Sequence, residues 1–83
     1  MHISDVTHID FTPCDGFGST GRTATLLDSS GAVLAFGHGE DDREAVLEAL
    51  IGEGYTFDAA FHWHGTVLSR ATLRHHYALT PSN

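Results

Sequence analysis

Lysine is absent from this chain, and cations are scarce. Four arginines stand against eleven carboxylates in 83 residues, giving a formal net charge of −7 with the histidines neutral. That balance argues against direct binding to DNA, RNA or an anionic membrane surface, since neutralising phosphates takes clustered Lys and Arg. Cysteine is limited to Cys14, which excludes a disulfide within the chain and fits a reducing compartment. No apolar run approaches the roughly 20 residues of a membrane span. The first twenty residues carry Asp5, Asp10 and Asp15 and no run of signal-peptide length, so a cytoplasmic protein is expected. Repeats, linkers and low-complexity tracts are also missing, and the length suits a single domain over residues 1–83. A domain of this size buries roughly 60–65% of its unfolded surface, enough for one modest core.

What is present reads as an α+β fold. His2 to Thr12 is rich in Ile, Val, Thr and Phe and reads as a strand, with Ile3, Ile9 and Phe11 on one parity and Pro13 at its end. Residues 14–21 form a glycine-rich loop. Arg22 to Asp28 and Ala32 to His38 then form a hairpin through Ser29-Ser30-Gly31. Ala24 and Leu26 on one strand, and Leu34 and Phe36 on the other, are expected to face the core. A helix follows at about residues 41–53. Asp41 and Glu44 have capping-box spacing, Val46, Leu47, Leu50 and Ile51 fall on one side, and Gly52 and Gly54 terminate it. Thr56 to His64 alternates, with Phe57, Ala59, Phe61 and Trp63 opposite Asp58, Ala60, His62 and His64, and reads as a strand. His64-Gly65 reads as a turn, Thr66 to Ser69 as a return strand, and Arg70 to Tyr77 as a short helix. The residues from Val67 to Leu79 also alternate, so a strand is the competing reading there. Pro81-Ser82-Asn83 reads as a frayed end. The expected order is β-β-β-α-β-β with a possible short C-terminal helix: an antiparallel sheet of four to five strands with one main helix across one face. An exposed edge strand, the first by this reading, could pair with a copy of itself, so monomer and homodimer both stay open.

No complete catalytic motif is present, and neither an enzyme nor a cofactor is expected. Gly16-Phe17-Gly18-Ser19-Thr20-Gly21 matches G-x-G-x-x-G. A dinucleotide site needs that run to leave a strand and open a helix, whereas here a strand follows it, so it reads as a flexible loop. His62 and His64, two apart on a strand, would set their rings on one face about 7 Å apart at Cα, with Asp58 on the same parity. That is an alternative metal site, with His75, His76 or Cys14 as a further ligand. The strongest surface signal is the acidic stretch 40–48. Asp41, Glu44 and Glu48 fall within one arc of the helix, flanked by Asp42 and preceded by Glu40, with no i,i+4 cation to balance them. Carboxylates pair with arginine in the same geometry as phosphates, so such a stripe can engage a basic protein surface that normally holds nucleic acid. Phe17, between two glycines, is the best candidate for an exposed apolar contact at that interface.

One resemblance bears on this. The hairpin turn Leu27-Asp28-Ser29-Ser30-Gly31-Ala32-Val33-Leu34 leads into Gly37-His38-Gly39-Glu40-Asp41-Asp42-Arg43-Glu44-Ala45, and a second hairpin, Trp63-His64-Gly65-Thr66-Val67-Leu68, then leads to Thr72-Leu73-Arg74. Across about residues 20–76 this layout resembles small phage and mobile-element proteins of the anti-CRISPR kind. The resemblance implies a non-enzymatic inhibitor, acting in the host cytoplasm if phage-encoded. It would dock on a basic surface of a CRISPR effector subunit and block target DNA binding or activation. The middle portion also resembles HicB-type antitoxins, although the DNA-binding extension expected there is missing.

Overall fold

The computed structural model describes residues 3–18 and 20–75. It is α+β: a four-stranded, mostly antiparallel sheet with a main helix packed on one face. The strands are β1 (His8–Pro13), β2 (Arg22–Leu27), β3 (Val33–Gly39) and β4 (Thr72–His75); the first strand, expected from His2, begins only at His8, and Ile3–Asp5 is a 3-10 turn. The helices are α1 (Asp42–Gly52) and α2 (Phe57–Arg70). Sheet order is β3-β2-β1-β4. β1 lies antiparallel to β2 and β2 to β3, whereas β4 lies parallel to β1. Among the described residues the edges are therefore β3 and β4. The first strand, expected at an edge, is an inner strand because β4 pairs along its free side.

The hairpin forms where turn chemistry places it. Asp28 Oδ1 accepts from the Ser30 amide at 2.9 Å, the Ser30 hydroxyl at 2.6 Å and the Ala32 amide at 3.0 Å, and Gly31 supplies φ +87°. The Ser30 hydroxyl, followed by the Ala32 amide, holds the Asp28 carboxyl below its ordinary range. The strand that follows exchanges its faces relative to expectation. Ala35, Gly37 and Gly39 face the core, whereas Phe36 is 62% exposed and Leu34 only partly buried. Steric space decides this parity. A Cβ on Gly37 would lie 2.3 Å from the Ala49 amide nitrogen and 2.5 Å from the Ala45 carbonyl oxygen. Only hydrogen fits between β3 and α1 there, so Phe36 must turn outward.

α1 begins as its capping signal implies. Asp41 is the N-cap, and its Oδ1 accepts from the Glu44 amide at 2.9 Å. The return bond of the capping box lands one residue early, since Glu44 Oε1 accepts from the Glu40 amide at 3.4 Å. Ala45, Val46, Leu47, Ala49 and Leu50 are buried against Ile9, Phe11, Ala24 and Leu26 of the sheet. The three larger side chains contribute about 5–9 kcal/mol gross, at roughly 1.5–3 kcal/mol per buried side chain. Ile51, expected among them, is 42% exposed.

The largest correction concerns residues 56–75. Thr56 to His64 is not a strand, and Thr66 to Ser69 is not its return partner. Both lie in α2, with Thr56 as N-cap accepting from the Ala59 amide at 3.2 Å. The helical stripe is Ala60, Trp63, His64, Val67, Leu68 and Ala71, at spacings of three and four, with Ala60 and Val67 fully buried. Alternation is compatible with this because Phe57 and Phe61 are also i,i+4 neighbours, their rings 6.4 Å apart. Thr72 to His75, expected within a short helix, is strand β4, tied to β1 by Arg74 Nε to Asp10 Oδ1 at 2.6 Å. The order is thus β-β-β-α-α-β. The remainder of the expected terminal helix, its alternating rival beyond His75, and the frayed end at 81–83 lie outside the described residues. No helix among the described residues is long and apolar enough to cross a membrane.

Candidate protein-binding groove

Glu44, Leu47, Glu48 and Ile51 recur at i, i+3, i+4 and i+7 and so form one stripe along α1. This stripe mixes acids with aliphatics and floors an open groove of about 460 Å³. Phe17 from the glycine-rich loop, His38 and Gly39 from the end of β3, and Phe57 from the start of α2 complete the lining, with Arg43 beside them. Phe17 and Ile51 are each 42% exposed and Phe57 60%, so three separate elements bring open apolar side chains to one groove.

Of the residues singled out for partner contact, the fold brings three together here: Phe17, Glu44 and Glu48. Glu40, Asp41 and Asp42 lie outside the lining, at the start of α1. Each acid of the helix has an internal role. Asp41 caps α1, and Glu44 bonds the Glu40 amide. Asp42 pairs with Arg22 at 3.7 Å. Glu48 Oε1 accepts from the backbone N–H of His38 at 3.1 Å. These are surface bonds, exposed to water and exchangeable, so they orient the carboxylates without removing them from reach. Arg43, which also lines the groove, is itself engaged, since its guanidinium lies 4.9 Å from the centre of the Phe61 ring. The groove therefore presents two carboxylates between apolar walls, with the Arg43 guanidinium drawn toward Phe61.

His38 connects the groove to the sheet face opposite α1. Its Nδ1 is 2.7 Å from Thr23 Oγ1 and 3.7 Å from Cys14 Sγ, and its ring meets Phe36 edge-on at 5.8 Å.

The histidine metal site does not survive the change from strand to helix. Two residues apart on α2 means roughly 200° of rotation, so His62 and His64 point to different sides. His62 is exposed against Trp63, their rings 5.4 Å apart, and keeps only Asp58, four residues earlier, on its side. His64 turns inward, toward Arg43 and Asp41 of α1. Its Nε2 is buried with no hydrogen-bond partner, and burial, followed by the Arg43 charge, lowers its pKa below the ordinary imidazole range. Cys14 sits with His38 instead. His75 belongs to the edge strand β4, and His76 lies outside the described residues. Among the described residues no group of three or more His, Cys, Asp or Glu side chains converges in a way that could hold a metal ion.

The sequence reading missed Leu47, Ile51 and Phe57 as groove residues. The sequence groups Ile51 with Val46, Leu47 and Leu50, and Phe57 with Phe61 and Trp63 on one strand face. A signal was available, because the 44-47-48-51 spacing is a helical stripe in its own right and ends on an aliphatic that the buried arc does not need. Comparison with family models, curated proteins and solved structures found no match.

Proposed function

We propose that this chain is a protein-binding inhibitor whose contact surface is the groove along α1. The observation that carries the reading is the placement of Glu44 and Glu48 between exposed Phe17, Ile51 and Phe57. Aromatic and aliphatic anchors supply the desolvated centre of an interface, and flanking carboxylates select for a basic partner. A net charge of −7 steers such a partner in at long range. The resemblance in layout names the sharper version: an anti-CRISPR that occupies a basic nucleic-acid channel of an effector subunit and blocks target DNA. The portion supporting it is the hairpin at 22–39 running into the acidic start of α1; the second hairpin of that layout, at 63–68, is part of α2 and lends it nothing. A basic toxin regulated by this chain would meet the same groove.

The test is binding to purified CRISPR effector complexes across salt concentrations, with a DNA-binding readout alongside. The chain should bind and exclude target DNA, and its affinity should fall steadily as salt rises. The Glu44→Lys/Glu48→Lys variant should stay folded, at a stability cost of about 1–2 kcal/mol from its lost surface bonds. Its affinity should drop by about tenfold or more. Effector binding that ignores both salt and the double reversal would refute the acidic-groove mechanism. No binding to any effector would remove the anti-CRISPR identity.

A further inference from the structure

We infer that the groove accepts its partner as a fifth strand, an extended segment alternating basic and apolar residues that adds to the edge of β3, which is open among the described residues. The inference rests on the reading of the groove as a partner-binding surface and specifies the form of the ligand. β3 is an edge of the sheet, and His38 on it turns its N–H away from β2. That donor is held by Glu48 Oε1 at 3.1 Å, an acceptor standing where the carbonyl of a neighbouring strand would lie. Phe36, two residues back, presents its amide to the same side by the period of the strand. His38 and Glu48 both line the groove, so the open ladder and the carboxylates belong to one surface.

An added strand would have two unlike faces. On the helix side its side chains would come under Glu44 and Glu48, both exposed, which favours Arg or Lys there. On the other side they would lie beside Phe36, 62% exposed, which favours an apolar residue. Glu48 would release the His38 amide to the incoming carbonyl and turn to the incoming cation, so neither group loses a partner. A second copy of this chain fits poorly, because pairing would bring two chains of net charge −7 together.

The probe is an alternating Arg-Val octapeptide, blocked at both ends, and a twin methylated on every backbone nitrogen. The twin keeps all charges and side chains but cannot donate to β3. Both are titrated into the ¹⁵N-labelled chain at low salt, with amide hydrogen exchange followed in parallel. The unmethylated peptide should shift the Phe36 and His38 amide signals and slow their exchange by about tenfold, and the twin should bind about tenfold more weakly or worse. Equal binding of the two peptides would overturn strand addition while leaving the acidic groove standing. So would shifts confined to α1 with no protection at Phe36 and His38. Failure of both peptides to perturb Glu44, Glu48 or Phe17 would overturn the groove reading itself, and strand addition with it.

Discussion

Gly37→Ala tests the contact that positions the groove. The added Cβ would sit 2.3 Å from Ala49 N, 2.5 Å from Ala45 O and 2.9 Å from Ala49 Cα. Comfortable carbon contacts begin near 3.5 Å, so α1 must lift from β3 by about 1 Å. A gap of that size forfeits roughly a quarter to a half of each dispersion contact. Applied to the apolar stabilisation of α1, and in line with measured overpacking costs of about 1–3 kcal/mol, the loss is about 2–4 kcal/mol. For a chain of 83 residues the whole stability is about 4–12 kcal/mol, so the variant gives up a large share of it. Urea denaturation followed by helical circular dichroism should register this directly, and the melting midpoint should fall by on the order of 10–25 °C. The offending atoms are backbone, so adding Ala49→Gly should not restore stability. Gly52→Ala is the control: it ends α1 with nothing within 4 Å of the new Cβ, and should be neutral or stabilising by up to about 1 kcal/mol. A Gly37→Ala variant within about 0.5 kcal/mol of the parent, or rescued by Ala49→Gly, would refute the close-approach argument. The same lift would draw Glu48 away from the His38 amide, so loss of stability and loss of partner binding should appear together.

Three further outcomes follow from the geometry. Thr56→Ala should cost about 1 kcal/mol through loss of the α2 N-cap, read from urea midpoints, whereas a strand at this position would show no capping cost. His64 is neutral in the folded state with a lowered pKa, so the unfolded chain binds the extra proton first as pH falls through about 6.5. Its contribution is fully present above that pH and is lost below it. Midpoints at pH 7.5, 6.5 and 5.5 should decline less steeply in His64→Gln than in the parent, and parallel declines would contradict the buried, unpartnered Nε2. Arg74→Ala should cost only about 0.5–1 kcal/mol, because its ion pair with Asp10 is partly exposed. Amide exchange should accelerate in β4 and leave the β2–β3 hairpin unchanged.

The parts of the fold legible in the sequence are those written in local chemistry. The Asp28–Ala32 turn and the Asp41 cap are each encoded within five residues, and the strands and helix they delimit lie within a residue or two of expectation. The exposure of Phe17 between two glycines was legible for the same reason. The face of β3 was not. Hydrophobicity favours Phe36 inside, and what excludes it is the approach of α1 to Gly37 and Gly39, a contact made across the fold. In residues 57–70 two periods coexist. Phe57, Phe61, Trp63 and Val67 satisfy both alternation and helical spacing, whereas Ala60, His64 and Leu68 satisfy the helical one alone. Length separates the readings, since 14 residues exceed an ordinary strand and make an ordinary helix.

That one reassignment moves the chemistry as well as the topology. As a strand, residues 57–64 would put His62 and His64 on one face as a chelating pair and hold Phe57 and Phe61 in the core. As a helix, the same residues divide the histidines between an exposed and a buried side. Phe57 then joins the groove, and the Phe61 ring packs against the Arg43 guanidinium. The change that removes a metal site thus supplies an apolar wall beside two carboxylates and engages the neighbouring cation. The metal reading and the groove reading are therefore mutually exclusive consequences of one stretch of backbone. The cost of Thr56→Ala, by reporting whether that stretch is helical, discriminates between them.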